Sequence, residues 1–193
     1  MSSAFLVSTG VIALAEIGDK TQLLAFLLAS RFKKPIPIIV GITLATLINH
    51  GLAGAVGAWI TSNISQEVLR WVLGVSFLGM AVWTLIPDKI EDEETQLATK
   101  LGAFGATFIT FFLAEMGDKT QIATVAMSAH YNDIFMVVAG TTLGMLIADV
   151  PAVFAGDKLS QKIPMRVVHS VAAAMFAVLG FATLLGAGSA FNF

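Results

Sequence analysis

Long apolar runs of roughly membrane length dominate the chain, and most of its polar residues gather between them. A helix crossing the hydrocarbon layer needs about 20 mostly apolar residues. Six runs meet that length, over 3–29, 36–60, 67–86, 100–128, 134–156 and 165–187. The pattern predicts an all-α membrane protein of six transmembrane helices. The connections are short except for 87–99, where the run DKIEDEE forms an acidic linker. The first run sits where a signal peptide would. It lacks a basic leading region and contains Glu16, Asp19 and Lys20, so it is expected to stay in the protein as a membrane helix.

Composition agrees with the pattern. Of 193 residues, 56% are hydrophobic and 12% charged, whereas soluble domains carry about a quarter charged residues. Mean hydropathy is +0.84. The absence of cysteine excludes disulfides, thiolate metal sites and cysteine nucleophiles. No basic patch with interleaved aromatics points to nucleic acid, and no phosphate-binding motif points to ATP drive within this chain. The few basic residues alternate between loops. Arg31, Lys33 and Lys34 follow the first span, Lys89 and Lys100 flank the linker, and Lys158, Lys162 and Arg166 lie before and at the start of the sixth span. The opposite side holds only Arg70. The positive-inside rule then predicts a cytoplasmic linker and both termini outside, N-out/C-out.

One polar segment occurs twice. AEIGDKTQ at 15–22 returns as AEMGDKTQ at 114–121, which places Glu16 and Glu115 99 residues apart. The same offset pairs GITLATLI at 41–48 with GTTLGMLI at 140–147. Shared apolar character alone does not produce a common polar octapeptide. The chain divides into a first three-helix repeat (1–86), the acidic linker (87–99) and a second three-helix repeat (100–193). Three is odd, so the second repeat enters the membrane inverted relative to the first. Inverted repeats are typical of secondary transporters, whose sites lie near the midplane between the halves. The two halves already make a pseudo-dimer, so the pattern requires no second chain.

A charge within a span costs at least about 2.5–3.5 kcal/mol on insertion scales. Each motif nevertheless places Glu, Asp and Lys within five residues. On a continuous helix Glu16 and Asp19 share a face, and Lys20 follows Glu16 at the spacing of an ion pair. Gly18 permits close helix approach or a local break. Thr21 and Gln22 add oxygen. Glu115, Gly117, Asp118, Lys119, Thr120 and Gln121 repeat the set from the opposite direction, so crossing helices bring four carboxylates together. That all-oxygen site suits hard divalent cations such as Ca²⁺, Mg²⁺ and Mn²⁺. Four acids and two lysines sum to −2. One divalent cation or two protons neutralise the cluster, which predicts exchange at 1:2 without net charge movement. The competing reading makes the charged groups buried pairs that only lock helices together. It stays open for Lys20 and Lys119, but leaves one acid per motif unexplained.

The doubled motif, in two three-span halves around an acidic linker, resembles a family of Golgi manganese/calcium transporters and bacterial manganese exporters. That family is defined by a paired E-φ-G-D-[KR]-[TS] motif and regarded as cation:proton exchangers. The signature falls on Glu16, Gly18, Asp19, Lys20 and Thr21, and on Glu115, Gly117, Asp118, Lys119 and Thr120. The resemblance implies export of Mn²⁺, with Ca²⁺ the alternative, from a bacterial inner membrane. The cation is then substrate, and no cofactor is expected.

Other polar residues join the candidates. Asn49 and His50 lie mid-span in the second run, and Asp149 lies opposite His50 in the repeat, two residues before Pro151. Buried polar groups at that depth are candidates for cation binding or proton transfer, against the alternative of interhelical hydrogen bonds. The metal ligand set is therefore Glu16, Asp19, Glu115, Asp118, Gln22, Gln121, Thr21, Thr120, Asn49 and Asp149. Glu91, Asp92, Glu93 and Glu94 read as a solvated charge run, His169 as interfacial, and Trp59, Trp71 and Trp83 as interface anchors. The rival from another class is an intramembrane enzyme with paired carboxylates. Catalytic acids and bases sit in unlike environments, which a near-symmetric pair of motifs does not supply.

Overall fold

The computed structural model describes residues 3–86, 101–155 and 165–186. The linker acids Glu91–Glu94, with Lys89, Lys100, Lys158 and Lys162, lie outside the described residues. The described residues form helices only. They are α1 (Ser3–Glu16), α2 (Lys20–Phe32), α3 (Pro35–Asn63), α4 (Gln66–Thr84), α5 (Ala103–Glu115), α6 (Lys119–Tyr131), α7 (Ile134–Ala155) and α8 (Met165–Leu184).

Four of the six predicted spans are single helices. The first and fourth are each broken in two, at the acidic motif. Gly18 and Gly117 take φ of 86° and 75°, a left-handed conformation that stops a right-handed helix and that glycine adopts without steric cost. Asp19 and Asp118 follow in extended geometry as the N-caps of α2 and α6. The expected shared face of Glu16 and Asp19 therefore gives way to a corner. Glu16 ends one helix and Asp19 opens the next.

The halves correspond closely. Each boundary of α6 lies 99 residues after that of α2, and the left-handed C-caps Lys33 and Asn132 keep the same offset. Pro35 and Ile134 then start α3 and α7. Helices α3 and α4, and residues Ile134–Phe154 of α7, are long and apolar enough to cross a membrane. At 14 and 13 residues, α1 and α2 each extend only about 20 Å and neither alone spans a core of ~30 Å.

Packing fixes relative directions. A Cβ on Gly140 would meet Phe5 and Ser8, and one on Gly144 would meet Thr9 and Ile12, while Gln22 bonds to Ala148. Residue numbers rise together, so α1 and α2 run along α7 in the same direction. The equivalent contacts set Gly41 against Phe104 and Thr107, Asn49 against Phe112, and Gly57 against Val125 and Ser128. Thus α5 and α6 run along α3. Glycine at 41 and 140 is what permits this approach, since a Cβ at Gly140 would lie 2.6 Å from the Phe5 carbonyl oxygen. Helices α4 and α8 pack antiparallel, with Gly74 beside Leu184 and Leu78 beside Gly180.

Two apolar clusters form the core. One joins Val11, Ile12 and Ala15 to Leu73, Phe77, Met127 and Phe176; the other joins Leu24, Leu28, Ile38, Ile42, Phe111 and Val153. Along α1–α2 the motif lies between the first cluster and the second, and along α5–α6 it lies between the second and the first. The polar layer is enclosed from both ends.

Candidate metal centre at the two helix breaks

Each break directs a helix C-terminus and a helix N-terminus into the same layer. Last-turn carbonyls of α1 and α5 have no intrahelical partner, and first-turn N–H groups of α2 and α6 likewise. The corner brings Asp side chains to the helix starts and Glu side chains to the helix ends. Glu16, Asp19, Glu115 and Asp118 are all buried, at 0%, 3%, 0% and 5% exposure.

One carboxylate oxygen from each of Glu16, Asp19 and Asp118 lies within 4.8 Å of the others. Oxygens on opposite sides of a hard cation bound at ~2.3–2.6 Å stand about 4.6–5.2 Å apart, so the trio has the spacing of a coordination sphere. The expected fourth carboxylate, Glu115, stands outside this trio. It remains within electrostatic reach of Asp118, Asp149 and Asp19. Glu16 in turn lies within reach of Glu115, Asp118 and Asp149.

The motif threonines bond back to their own glutamates. Thr21 Oγ1 donates to Glu16 Oε2 at 2.6 Å, and Thr120 Oγ1 donates to Glu115 Oε2 at 3.0 Å. A donating hydroxyl keeps lone pairs for a cation. Glu16 Oε1 and Glu115 Oε1 have no hydrogen-bond partner among the described residues.

The glutamines act as clamps. Gln22 Oε1 accepts from Gly18 N–H at 2.9 Å, and Gln121 Oε1 accepts from Gly117 N–H at 2.7 Å. Each thereby satisfies the backbone of its own helix break. Their amide nitrogens reach across the halves. Gln22 Nε2 donates to the Ala148 carbonyl at 2.8 Å, and Gln121 Nε2 donates to Asn49 Oδ1 at 3.3 Å. Asn49 and Ala148 are themselves 99 residues apart, so the two clamps are equivalent contacts. Asn49 Nδ2 also donates to the Phe112 carbonyl at 3.0 Å.

Asp149 and His50 occupy the next equivalent pair of positions. Both are fully buried, and neither the carboxylate oxygens nor the ring nitrogens have a hydrogen-bond partner among the described residues. Buried polar groups without partners are uncommon and call for an explanation such as an ion or water.

The i, i+4 spacing predicted pairing of each lysine with its own glutamate; the lysine–aspartate pairs cross between the motifs. Lys119 Nζ lies 2.5 Å from Asp19 Oδ1, and Lys20 Nζ lies 3.7 Å from Asp118 Oδ1. Each motif supplies the other's counter-ion. Sequence reasoning missed this exchange because i, i+4 pairing assumes an unbroken helix. It also missed the acceptor carbonyls of Ala148 and Phe112, which have no side-chain signal. The repeat offset could have found the first, since it pairs Ala148 with Asn49.

A cavity of about 660 Å³ opens where α3 and α6 end and α4 begins, lined by residues including Glu67, Arg70, His130 and Ala129. Along α6, Met127, Ala126 and Ala123 of the first apolar cluster stand between Ala129 and the acids.

Comparison with known proteins bears on the chemistry of this site. Residues 4–92 and 103–190 match the family model described as "Divalent cation/proton antiporter GDT1". A Vibrio cholerae protein named "Putative manganese exporter" is 52% identical over 182 residues, covering 94% of this chain and 90% of that protein. "GDT1-like protein 3" of Oryza sativa subsp. indica is 32% identical over 203 residues, covering 92% and 71%. A GDT1-like protein of Synechocystis is 29% identical over 195 residues, covering 91% and 94%. No solved structure gives a significant match. The family match spans both motifs and nearly all the helices around them. The chain belongs to the GDT1 family of divalent cation/proton antiporters, and it is a transporter rather than an enzyme.

Proposed function

We propose that this protein exports a divalent cation, Mn²⁺ in preference to Ca²⁺, in exchange for protons. The cation binds where Glu16, Asp19 and Asp118 converge, with Glu115, Asp149, Asn49 and the hydroxyls of Thr21 and Thr120 completing or adjoining the sphere. Gln22 and Gln121 hold the two breaks open. The observation that carries this reading is the convergence of buried carboxylates from both motifs within 4.8 Å. Of the methionines nearest the motifs among the described residues, Met116 is exposed and Met145 is buried in the first apolar cluster. The choice of Mn²⁺ over Ca²⁺ draws on the Vibrio cholerae relative's name.

The architecture in this reading is six spans in two inverted three-helix repeats, 1–86 and 100–193, joined by the cytoplasmic linker 87–99. Helices α1 and α2 together make the first span, and α5 and α6 the fourth. The support is directional. With α1–α2, α4 and α7 running one way, α3, α5–α6 and α8 run the other. The termini lie outside a bacterial inner membrane, as the loop charges favour. Rocking of the halves exposes the site to each side in turn.

The test is reconstitution. Proteoliposomes with an imposed pH gradient should accumulate Mn²⁺ against its gradient, and excess Ca²⁺ should compete only weakly. Glu16→Gln and Asp118→Asn should each abolish the flux. Wild-type rates in either variant would refute the site.

A further inference from the structure

The octapeptides differ only at Ile17 and Met116, yet their lysines are held unequally. The Lys119–Asp19 pair measures 2.5 Å, with side-chain exposures of 2% and 1%. Its equivalent, Lys20–Asp118, measures 3.7 Å, and 19% of the Lys20 side chain is exposed. Near-identical chemistry does not account for the difference. Both aspartates also belong to the trio of acids that converge within 4.8 Å. The same carboxylates thus face a chain-borne ammonium and the proposed cation position.

We propose that Lys119 is a tethered competitor of the transported cation at Asp19, and Lys20 its counterpart at Asp118. The proposal rests on reading Glu16, Asp19 and Asp118 as the cation site. An arriving cation engages Asp19, and Lys119 loosens its hold. Lysine suits this role. Its ammonium is a compact point charge on a flexible four-carbon stem, able to withdraw without a fixed two-point grip being broken. In the metal-free carrier the ammonium groups keep the buried aspartates paired, since a lone buried carboxylate is strongly unfavourable. The two lysines therefore oppose metal affinity and support the return of the metal-free, proton-loaded site.

A purely structural lock makes the opposite prediction. Removing a lock loosens the site, so metal affinity and rate fall together. Removing a competitor raises affinity while turnover falls.

The experiment uses full-length protein, with Mn²⁺ titrated calorimetrically in detergent and Mn²⁺ flux measured in proteoliposomes. Lys119→Gln should tighten Mn²⁺ binding by at least about tenfold, because one positive charge leaves the neighbourhood of a divalent ion. Its KM and kcat should both fall. Lys20→Gln should shift affinity in the same direction. Lys119→Arg retains the charge and grips a carboxylate at two points, so it should weaken Mn²⁺ binding several-fold while melting like wild type. Unchanged or weaker binding in Lys119→Gln, or unchanged binding in Lys119→Arg, overturns the proposal. Should Lys119→Gln fail to fold, Lys119→Arg decides the matter alone. Glu16→Gln separates the two levels. If it binds Mn²⁺ normally, the site reading fails; if it loses Mn²⁺ while both Lys119 variants match wild type, only the competitor role fails.

Discussion

Each motif threonine closes a small ring onto the glutamate five residues before it, across the helix break. A hydrogen bond to a charged group contributes about 1.5–3 kcal/mol, and a buried group that loses its partner carries the full desolvation penalty. Thr120→Val keeps the side-chain shape and removes the donor to Glu115. The purified protein should then lose about 1.5–3 kcal/mol of stability, seen as a lower melting temperature, and Mn²⁺ flux should slow. Thr120→Ser should restore both, and a Thr120→Val protein melting at the wild-type temperature would remove the hydroxyl from the account. At this scale the sequence was informative about membership and poor on pairing. Glu, Asp, Lys, Thr and Gln are recognisable as one polar group because hydropathy cannot explain them. Their partners were not legible, because Lys20 reaches Asp118 and Lys119 reaches Asp19 across 98 and 100 residues of chain.

The elements depend on a left-handed glycine followed by an extended aspartate. Gly117 has φ of 75°, and a Cβ there would meet nothing within 4 Å. Substitution therefore carries a conformational cost with no steric clash. Gly117→Ala should cost about 1–2 kcal/mol, read as reduced thermal stability of the purified protein. Gly117→Asn should cost less, since Asn tolerates the left-handed region better than Ala. Equal stability of all three would show that the break does not depend on this backbone conformation. The breaks were only half legible. Gly18 left open a break or a close approach, and the apolar residues of 3–29 and 100–128 continue past the motif on both sides. Periodicity alone reads such runs as single helices. What decides for a break is the cap chemistry of Gly-Asp, with a glutamine four residues on to bond the freed glycine N–H. The other predicted runs lack that chemistry and form single helices within a few residues of their predicted bounds, as in α3 and α7.

Across the whole molecule, the 99-residue offset anticipates the matched boundaries of α2 and α6. Which helices touch was not legible. The long contacts of α1 with α7 and of α3 with α5 and α6 link different halves, and they depend on glycines, such as Gly41 and Gly140, whose packing role no hydropathy pattern reveals. The assembled molecule also alters the charge count. Asp149 lies within electrostatic reach of both motif glutamates. Five acids then stand against two lysines, and the cluster sums to −3 rather than the −2 of the motifs alone. Exchange of one divalent cation for two protons still moves no net charge, whichever of the acids carry the protons. The cation adds two charges on one stroke and two protons add the same on the other. Mn²⁺ flux in proteoliposomes should accordingly be insensitive to an imposed potassium diffusion potential while remaining steeply dependent on the pH gradient. Asp149→Asn should transport more slowly and stay insensitive to voltage. Voltage dependence in the wild type would rule out the 1:2 ratio. Voltage dependence confined to Asp149→Asn would show that Asp149 gains or loses a proton during the cycle, which would make it one of the two proton carriers.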